Sequence, residues 1–166
     1  MKTKLKGNEV NLAGDFIEKG SAAPDFTMTK GDLSKFNLSD RKGKTLLLNI
    51  FPSIDTPVCS ASVRKFNQLA SKMDNTLVLC ISKDLPFAQS RFCSVEGIQN
   101  VIALSDFHHT STFGKDYGVL IADSPMSGLL ARAVVIINPE GKVIYSQLVP
   151  DITQEPDYDA ALKALI

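Results

Sequence analysis

The stretch TLLLNIFPSIDTPVCSASVRKF, residues 45–66, decides the fold of this chain. It opens with the short apolar run "TLLLNIF" (45–51), which is typical of a strand buried inside a sheet. After two prolines, the segment 57–73 places apolar residues at helical spacing, namely Val63, Phe66, Ala70 and Met73. Such a stripe predicts a helix that packs one face on a sheet. The stretch therefore predicts a strand, a loop and a helix.

The rest of the chain repeats this alternation of strand and helix. Segments 85–97 and 157–166 predict two further helices, the first of which begins near Pro86 and ends at Gly97. Because the turn sequence "NPEG" separates the last two predicted strands, we expect them to form an antiparallel hairpin. Short apolar runs predict the four further strands, at 76–82, 100–106, 131–139 and 141–149.

The order of these elements indicates the fold class. Buried strands that alternate with helices indicate an α/β domain with right-handed crossovers. The order is that of a thioredoxin-like fold, and residues 1–20, with Gly-Asn between short alternating stretches, predict an N-terminal β-hairpin extension. The chain has 166 residues, 44% of them hydrophobic and 22% charged, so a single domain spanning residues 1–166 is expected.

Charge and segment composition argue against several kinds of partner. The 18 basic and 18 acidic residues cancel, so neither nucleic acid nor an anionic membrane is expected as a partner. The lysines of "MKTKLKG" precede no apolar signal segment. No apolar run approaches the roughly 18 residues that a membrane span needs. We therefore expect a cytoplasmic location.

The chain has three cysteines, Cys59, Cys80 and Cys93, which are its candidates for redox chemistry. Their odd number and the lack of a CxxC pair argue against a disulfide framework, a zinc ribbon and a dithiol oxidoreductase. Cys80 lies inside an apolar predicted strand, which assigns it to the core. The adjacent His108 and His109 are expected in a polar loop, because neighbouring side chains rarely bind one metal ion.

Cys59 stands in the first turn of a predicted helix. Pro57 suits the first helical position, where its missing N–H has no partner to lose. The unpaired N–H groups and the positive end of the helix dipole favour an anion there, and the thiolate is the nucleophilic form of cysteine. The position therefore predicts a reactive cysteine, and the alternative is a small buried apolar residue.

Three polar or rigid residues have two interpretations each. The hydroxyl of Thr56 can bond the thiolate or an incoming oxygen, or it can cap the helix. Pro52 ends the strand and either shields the thiol or only breaks the loop. Arg132 interrupts the apolar strand "ARAVVIIN", where a buried charge requires a partner. It is either the cation that supports the reacting centre or an edge arginine at a strand start.

The segment "PSIDTPVC" (52–59) fits the PxxxTxxC active-site signature of the peroxiredoxins. The stretches "LNIFPSIDTPVCSASVRKFNQLA", "NTLVLCISKDLPFAQSRFC" and "ARAVVIINPEGKVIYSQLV" resemble the bacterial thiol peroxidases, which are atypical two-cysteine peroxiredoxins. The resemblance covers nearly the whole chain. Pro57 is a departure, because many relatives carry glycine at this position, but proline suits a helix start.

This resemblance implies a thiol-specific peroxidase that reduces hydrogen peroxide and organic hydroperoxides, with the organic ones favoured. Cys59 would attack the peroxide and become a sulfenic acid, and Cys93 would resolve it by forming a disulfide within the same chain. Thr56 and Arg132 would hold the peroxide, and Pro52 would shield the thiol. Thioredoxin would reduce the disulfide, the protein would form a homodimer, and no metal, haem or flavin cofactor would be used.

The same residues also suggest other functions. A cysteine phosphatase needs the spacing C-x5-R, whereas "CSASVR" (59–64) is one residue short, and Arg64 is expected on a solvated helix face. The main alternative is a redox-sensing module that uses Cys59 and Cys93 to change shape and bind a partner without turnover. A non-catalytic thioredoxin-like scaffold is disfavoured by the surroundings of Cys59.

Overall fold

The computed structural model describes all residues of the chain, 1–166. A 3-10 helix spans Leu38–Arg41. The α-helices are α1 (Pro57–Ala70), α2 (Pro86–Glu96), α3 (Phe113–Asp116) and α4 (Tyr158–Lys163). The strands are β1 (Lys2–Leu5), β2 (Asn8–Ala13), β3 (Thr27–Lys30), β4 (Lys35–Asn37), β5 (Thr45–Ile50), β6 (Thr76–Ser82), β7 (Ile102–Ser105), β8 (Leu120–Ile121), β9 (Ala133–Ile137) and β10 (Val143–Leu148).

A seven-stranded sheet in the order β10-β9-β5-β6-β7-β3-β4 organises the molecule. Strands β5, β6 and β7 run parallel, and α1 and α2 connect them in turn. Strand β9 pairs antiparallel with β5 and forms a hairpin with β10. The carboxyl ends of the three parallel strands therefore meet at one edge, where the loops before α1 and α2 come together. This arrangement confirms the predicted α/β fold.

The predicted elements are present, and most are shorter than predicted. Helix α1 ends at Ala70 rather than at residue 73, because Lys72 and Met73 continue only as a turn on the last carbonyls of the helix. Strand β9 begins at Ala133, so Arg132 immediately precedes it. The N-terminal hairpin is confirmed as β1 and β2. Its loop residues Lys6 and Gly7 have φ values of 50° and 84°, the sign that a two-residue type I′ turn requires.

A second hairpin, which the sequence pattern does not predict, is formed by β3 and β4 and is attached to β7 through β3. The pattern also does not predict strand β8, which pairs with β2 to complete a three-stranded sheet. These strands are two to four residues long, too short to display a period. In the β3–β4 pair, only the opposed Met28 and Phe36 show an inward face clearly, with exposures of 1% and 0%.

Strand β5 is buried on both faces, as its apolar run predicts. Leu46, Leu48 and Ile50 belong to the large core of 23 residues, whereas Leu47 packs with Phe66 of α1 in a second cluster. A third cluster surrounds the start of α1 and consists of Phe51, Ile54, Cys59, Val63, Cys80 and Ile98. The apolar face of α1 therefore covers the sheet next to β5 and β6. No helix in the structure is long and apolar enough to cross a membrane.

Asp151 attaches the N-terminal hairpin to the loop that follows β10. Its carboxylate accepts hydrogen bonds from the backbone N–H groups of Lys6 (3.2 Å) and Gly7 (2.9 Å). It also accepts bonds from the N–H (3.0 Å) and the hydroxyl (2.7 Å) of Thr153. These donors, the Thr153 hydroxyl first among them, lower the pKa of Asp151 to about 2. The hairpin is therefore held by an ionised carboxylate.

Replacing Asp151 by Asn should lower the free energy of unfolding at pH 6 by about 1–3 kcal/mol, because charge-assisted hydrogen bonds are lost. An unfolded aspartate has a pKa of about 3.9, above the folded-state value, so this stabilisation is complete above about pH 4 and is lost as the pH falls toward 2. Urea unfolding of both proteins between pH 2 and pH 7 measures the difference. The control is Asp74→Asn, since Asp74 is exposed and its carboxylate accepts no hydrogen bond. A difference that stays constant over this pH range would contradict the assignment.

Candidate active site

The loop between β5 and α1 leads into a helix whose first turn contains Cys59, which is the position that the sequence predicts. Pro57 is the first residue of α1, and Thr56 holds the preceding cap position with extended backbone angles (φ −102°, ψ 146°). Cys59 is the third residue of the helix and is fully buried, with 0% exposure. Its thiol thus lies where the free N–H groups of the first helical turn favour an anion. Pro52, directly after β5 and Phe51, is also buried beside this loop.

Arg132 supplies a cation to this thiol. Its Nη2 donates a hydrogen bond to Sγ of Cys59 at 3.2 Å, and its Nε donates to the carbonyl of Ile152 at 2.8 Å. The guanidinium is 2% exposed, and its Nη1 is buried without a hydrogen-bond partner. Arg132 does stand at a strand start, but the alternative of an edge arginine is wrong, because β9 lies inside the sheet between β10 and β5. The structure therefore brings together Arg132 and Cys59, which are 73 positions apart in sequence.

The free Nη1 of Arg132 is the feature of this site that points to a ligand. A buried N–H donor that lacks an acceptor is costly, so native structures rarely contain one without a functional reason. Because the neighbouring Nη2 contacts the thiol, an oxygen bound at Nη1 would lie close to Sγ of Cys59. The arrangement can therefore hold a small oxygen-containing molecule against the nucleophile and stabilise negative charge that develops on it.

Thr56 contributes an acceptor rather than a donor. Its hydroxyl donates to the carbonyl of Ser53 at 2.9 Å, so the hydroxyl hydrogen is not free to bond a second molecule. The hydroxyl makes no cap bond to an N–H of α1 and no hydrogen bond to the thiol. Thr56 is thus the N-cap residue by its backbone position alone, without a side-chain cap bond. The lone pairs of Oγ1 can accept a proton from a bound molecule.

The other two cysteines differ in exposure and environment. Cys80 in β6 is 1% exposed, and burial raises the pKa of its thiol to about 12, which confirms that it is a core residue. Cys93 in α2 is partly buried against the apolar cluster that contains Cys59, and burial raises the pKa of its thiol. All three cysteines are free thiols. In this state Cys93 is therefore a protonated and weak nucleophile.

Helix α2, which carries Cys93, has an inverted burial pattern. Its buried residues are Pro86 and the polar Gln89, whereas the apolar Phe87 and Val95 are 64% and 75% exposed. Gln89 is held because its Nε2 donates to Oγ of Ser82 (3.0 Å) and to the carbonyl of Leu104 (2.9 Å). The first turn of α2 is therefore anchored to the sheet, while the turn that contains Cys93 has fewer buried contacts.

Other sequence-level candidates lie outside this site. Arg64 is half-exposed and faces Glu96 at 3.6 Å, as expected for a solvated helix face. His108 and His109 are exposed in the loop before α3, and no group of metal-binding side chains occurs anywhere in the chain. The sequence analysis missed Asp84, whose carboxylate bonds the loop before α1. Its only sequence signal is its place just after a parallel strand.

Comparison with known proteins agrees with this geometry. Residues 18–162 match the redoxin family. The chain is 56% identical over 161 residues to a thiol peroxidase of Mycobacterium tuberculosis, which covers 97% of this chain and 96% of the relative. It is 52% identical over 164 residues to a thiol peroxidase of Corynebacterium glutamicum, with 99% and 98% covered. A peroxiredoxin-like protein from Aquifex aeolicus superposes with a TM-score of 0.93 at 43% identity, over 99% of this chain and 95% of the other.

The chain therefore belongs to the redoxin family, as a thiol peroxidase of the peroxiredoxin type. This confirms the resemblance drawn from "PSIDTPVC" and the thioredoxin-like fold. Such an enzyme acts on a peroxide and takes its electrons from a thiol reductant.

Replacing Arg132 by Ala should slow the reaction of Cys59 with peroxide by about 100- to 1,000-fold, as expected when a donor to the developing charge is removed. It should also slow the alkylation of Cys59 at neutral pH, since the only cation bonded to the thiol is lost. Arg132→Lys should restore part of the rate, because lysine carries the charge but lacks the planar fork of donors.

The measurements are stopped-flow peroxide kinetics and the rate of iodoacetamide alkylation at neutral pH. Both use a protein in which Cys80 and Cys93 are replaced by Ser, so that Cys59 is the only thiol that reacts. Arg64→Ala is the matched control, because Arg64 is a half-exposed arginine whose charged partner is Glu96. If Arg132→Ala behaved like this control in both assays, Arg132 would have no place in the reaction.

Proposed function

We propose that this protein reduces hydroperoxides at Cys59 and resolves the product with Cys93. The observation that carries the proposal is the buried contact between Nη2 of Arg132 and Sγ of Cys59, at 3.2 Å, next to an Nη1 that has no partner. This contact supplies a nucleophile, a fixed cation and a free donor at one point. No other part of the chain combines these three features.

In the first step, the Cys59 thiolate attacks the terminal oxygen of the hydroperoxide. An S–O bond forms and the O–O bond breaks, so sulfur is oxidised to a sulfenic acid and the other oxygen leaves as alkoxide or hydroxide. The leaving oxygen takes up a proton and departs as alcohol or water. Nη1 of Arg132 would stabilise its negative charge, and Oγ1 of Thr56 would accept the O–H of the bound peroxide. Pro52 would shield the thiol from water.

In the second step, Cys93 condenses with the sulfenic acid, which gives a Cys59–Cys93 disulfide and one water molecule. The burial of Cys59 and the raised pKa of Cys93 both oppose this step in the folded state. The first turn of α1, the segment around Cys93, or both must therefore unwind. The exposed apolar residues of α2 and its few buried contacts support this local opening.

Thioredoxin would then reduce the disulfide, so that the net reaction is ROOH plus reduced thioredoxin to ROH, water and oxidised thioredoxin. Both hydrogen peroxide and organic hydroperoxides are proposed as substrates. The apolar cluster around Cys59, which includes Phe51 and Ile54, agrees with a preference for the organic ones. We further propose that the chain is a single domain, acts as a homodimer in the cytoplasm and needs no cofactor.

Substituting the cysteines one at a time tests the assignment. Cys59→Ser should abolish thioredoxin-coupled peroxide consumption, because a serine hydroxyl is scarcely ionised at neutral pH. Cys93→Ser should still consume one equivalent of peroxide but should lose sustained turnover. Cys80→Ser, the matched control, should stay within a few-fold of wild type and act mainly on stability.

The assay follows NADPH oxidation through thioredoxin reductase and thioredoxin, with hydrogen peroxide and an alkyl hydroperoxide compared side by side. Near-normal turnover in Cys59→Ser would refute the function. One round of oxidation in the wild-type protein with no further consumption would favour the redox-sensing module instead.

Oxidation should produce an intramolecular bond and loosen two segments. A disulfide needs Cα atoms about 4.4–6.8 Å apart, and Cys59 and Cys93 lie on different helices. The oxidised protein should therefore exchange amide hydrogens faster in residues 57–62 and 86–97 than the reduced protein, as measured by mass spectrometry. On a non-reducing gel it should migrate as a monomer. A disulfide-linked dimer as the main oxidised species would show that resolution occurs between subunits.

A further inference from the structure

Asp84 lies where the loops from two parallel strands meet, between the end of β6 and the start of α2. Its carboxylate reaches across to the loop that precedes α1. Oδ1 accepts the hydroxyl of Ser53 at 2.8 Å, and Oδ2 accepts the backbone N–H of Ile54 at 2.7 Å. Oδ2 also accepts the hydroxyl of Ser82 at 2.6 Å. One side chain therefore joins the loop before the nucleophile to the end of a core strand.

The partners of Asp84 explain why a carboxylate stands here. No lysine, arginine or histidine forms a salt bridge with Asp84, and the nearby Lys83 pairs with Asp106 at 3.0 Å instead. The three bonds come from neutral donors, and they use both carboxylate oxygens. An amide of the same shape offers only one acceptor oxygen and would turn an N–H₂ group toward a donor. The negative charge thus serves hydrogen bonding to the loop and not an ion pair.

The backbone of Asp84 is itself held in place. Its N–H donates to Oγ of Ser82 at 3.3 Å, and its carbonyl accepts the hydroxyl of Ser105. Ser82 and Ser105 end β6 and β7, and both are 0% exposed. The carboxylate is therefore anchored to two fully buried strand ends, as a side chain that must position another group requires.

A chain of hydrogen bonds continues from Asp84 to the site. Ser53, fixed by Asp84, uses its carbonyl to accept both the hydroxyl (2.9 Å) and the N–H (3.2 Å) of Thr56. The Ser53 carbonyl thus sets the direction of the Thr56 hydroxyl hydrogen and leaves the Oγ1 lone pairs free. Ile54, also fixed by Asp84, is 4% exposed and packs in the cluster that contains Cys59.

We propose that Asp84 is a positioning residue for the peroxide step, acting through Ser53 to aim the acceptor oxygen of Thr56 at the bound hydroperoxide. The inference rests on the proposed function and adds to it a residue that does not touch the reacting atoms. Arg132 fixes the thiol from the β9 side, and Asp84 fixes the opposite, loop side of the site. Loss of the Asp84 carboxylate would leave the thiol paired with Arg132 but would let Thr56 rotate.

The test separates positioning from general damage to the fold. In a protein with Cys80 and Cys93 replaced by Ser, Asp84→Asn should slow the reaction of Cys59 with an alkyl hydroperoxide by about 10- to 100-fold. Its rate of alkylation by iodoacetamide should stay within about two-fold of the parent rate, because alkylation needs no acceptor at Thr56. Asp55→Asn is the matched control, since Asp55 is an exposed aspartate two residues from Ser53, and its only ionic partner is the exposed Arg91 at 3.4 Å.

A double-mutant cycle then tests the route through Thr56. In a Thr56→Val protein, adding Asp84→Asn should cause little further loss of the peroxide rate, because the group that Asp84 aims is already absent. Ser53→Ala provides a second break in the same chain and should reproduce the selective loss if Asp84→Asn folds poorly.

Three results would overturn the inference: an Asp84→Asn protein that matches Asp55→Asn, an equal loss in peroxide and alkylation rates, or a full additional loss in the Thr56→Val background. A parent protein that reacts with peroxide no faster than a free thiol would instead refute the proposed function.

Discussion

The buried contact between Arg132 and Cys59 is the interaction on which the site depends. It exists because β9 pairs antiparallel with β5 in a register that sets Ala133 opposite Ile50. Arg132, one residue before β9, therefore arrives at the carboxyl end of β5, where the chain leaves the sheet toward α1. A guanidinium that is 2% exposed needs a counter-charge, and the first turn of α1 brings it a thiol that can supply one. The register of the β9–β5 pair and the start of α1 together therefore place the guanidinium of Arg132 against the thiol of Cys59.

The same burial creates a conflict between the two halves of the proposed cycle. A thiol with 0% exposure is well placed to react with a small peroxide held by Arg132, but it is closed to a second side chain. The parts of the structure that carry the two cysteines differ in how tightly they are packed. The sheet and the rear of α1 are tightly packed through Phe66 and Leu47, whereas α2 exposes Phe87 and Val95. In the proposed cycle, local opening of α2 would therefore cost the core little.

Buried polar groups connect the start of α1 to the sheet. Asn49 in β5 and Ser62 in α1 are both fully buried, and Nδ2 of Asn49 donates to Oγ of Ser62 at 3.1 Å. The Ser62 hydroxyl in turn donates to the carbonyl of Cys59 at 2.8 Å. A serine that bonds back to the preceding turn weakens the regular helix, and Asn49 keeps it in that position. Together with Asp84, this pair ties the start of α1 to the sheet through directional hydrogen bonds.

The sequence by itself determined the strand–helix alternation, the helix start at Pro57, the place of Cys59 in the first helical turn and the core position of Cys80. These features depend on local propensity and on periodicity over five or more residues. The resemblance to the thiol peroxidases also implied Cys93, Thr56, Arg132 and Pro52 as site candidates. The sequence could not reveal the β3–β4 hairpin, whose strands are too short to show a period and join the sheet through the pairing of β3 with β7. Nor could it show that the Thr56 hydroxyl donates to Ser53, that Nη1 of Arg132 is free, or that Asp84 bonds the loop before α1. Only the tertiary structure decided these features, because each is a directional contact between segments that are unrelated in sequence until the parallel sheet brings their ends together.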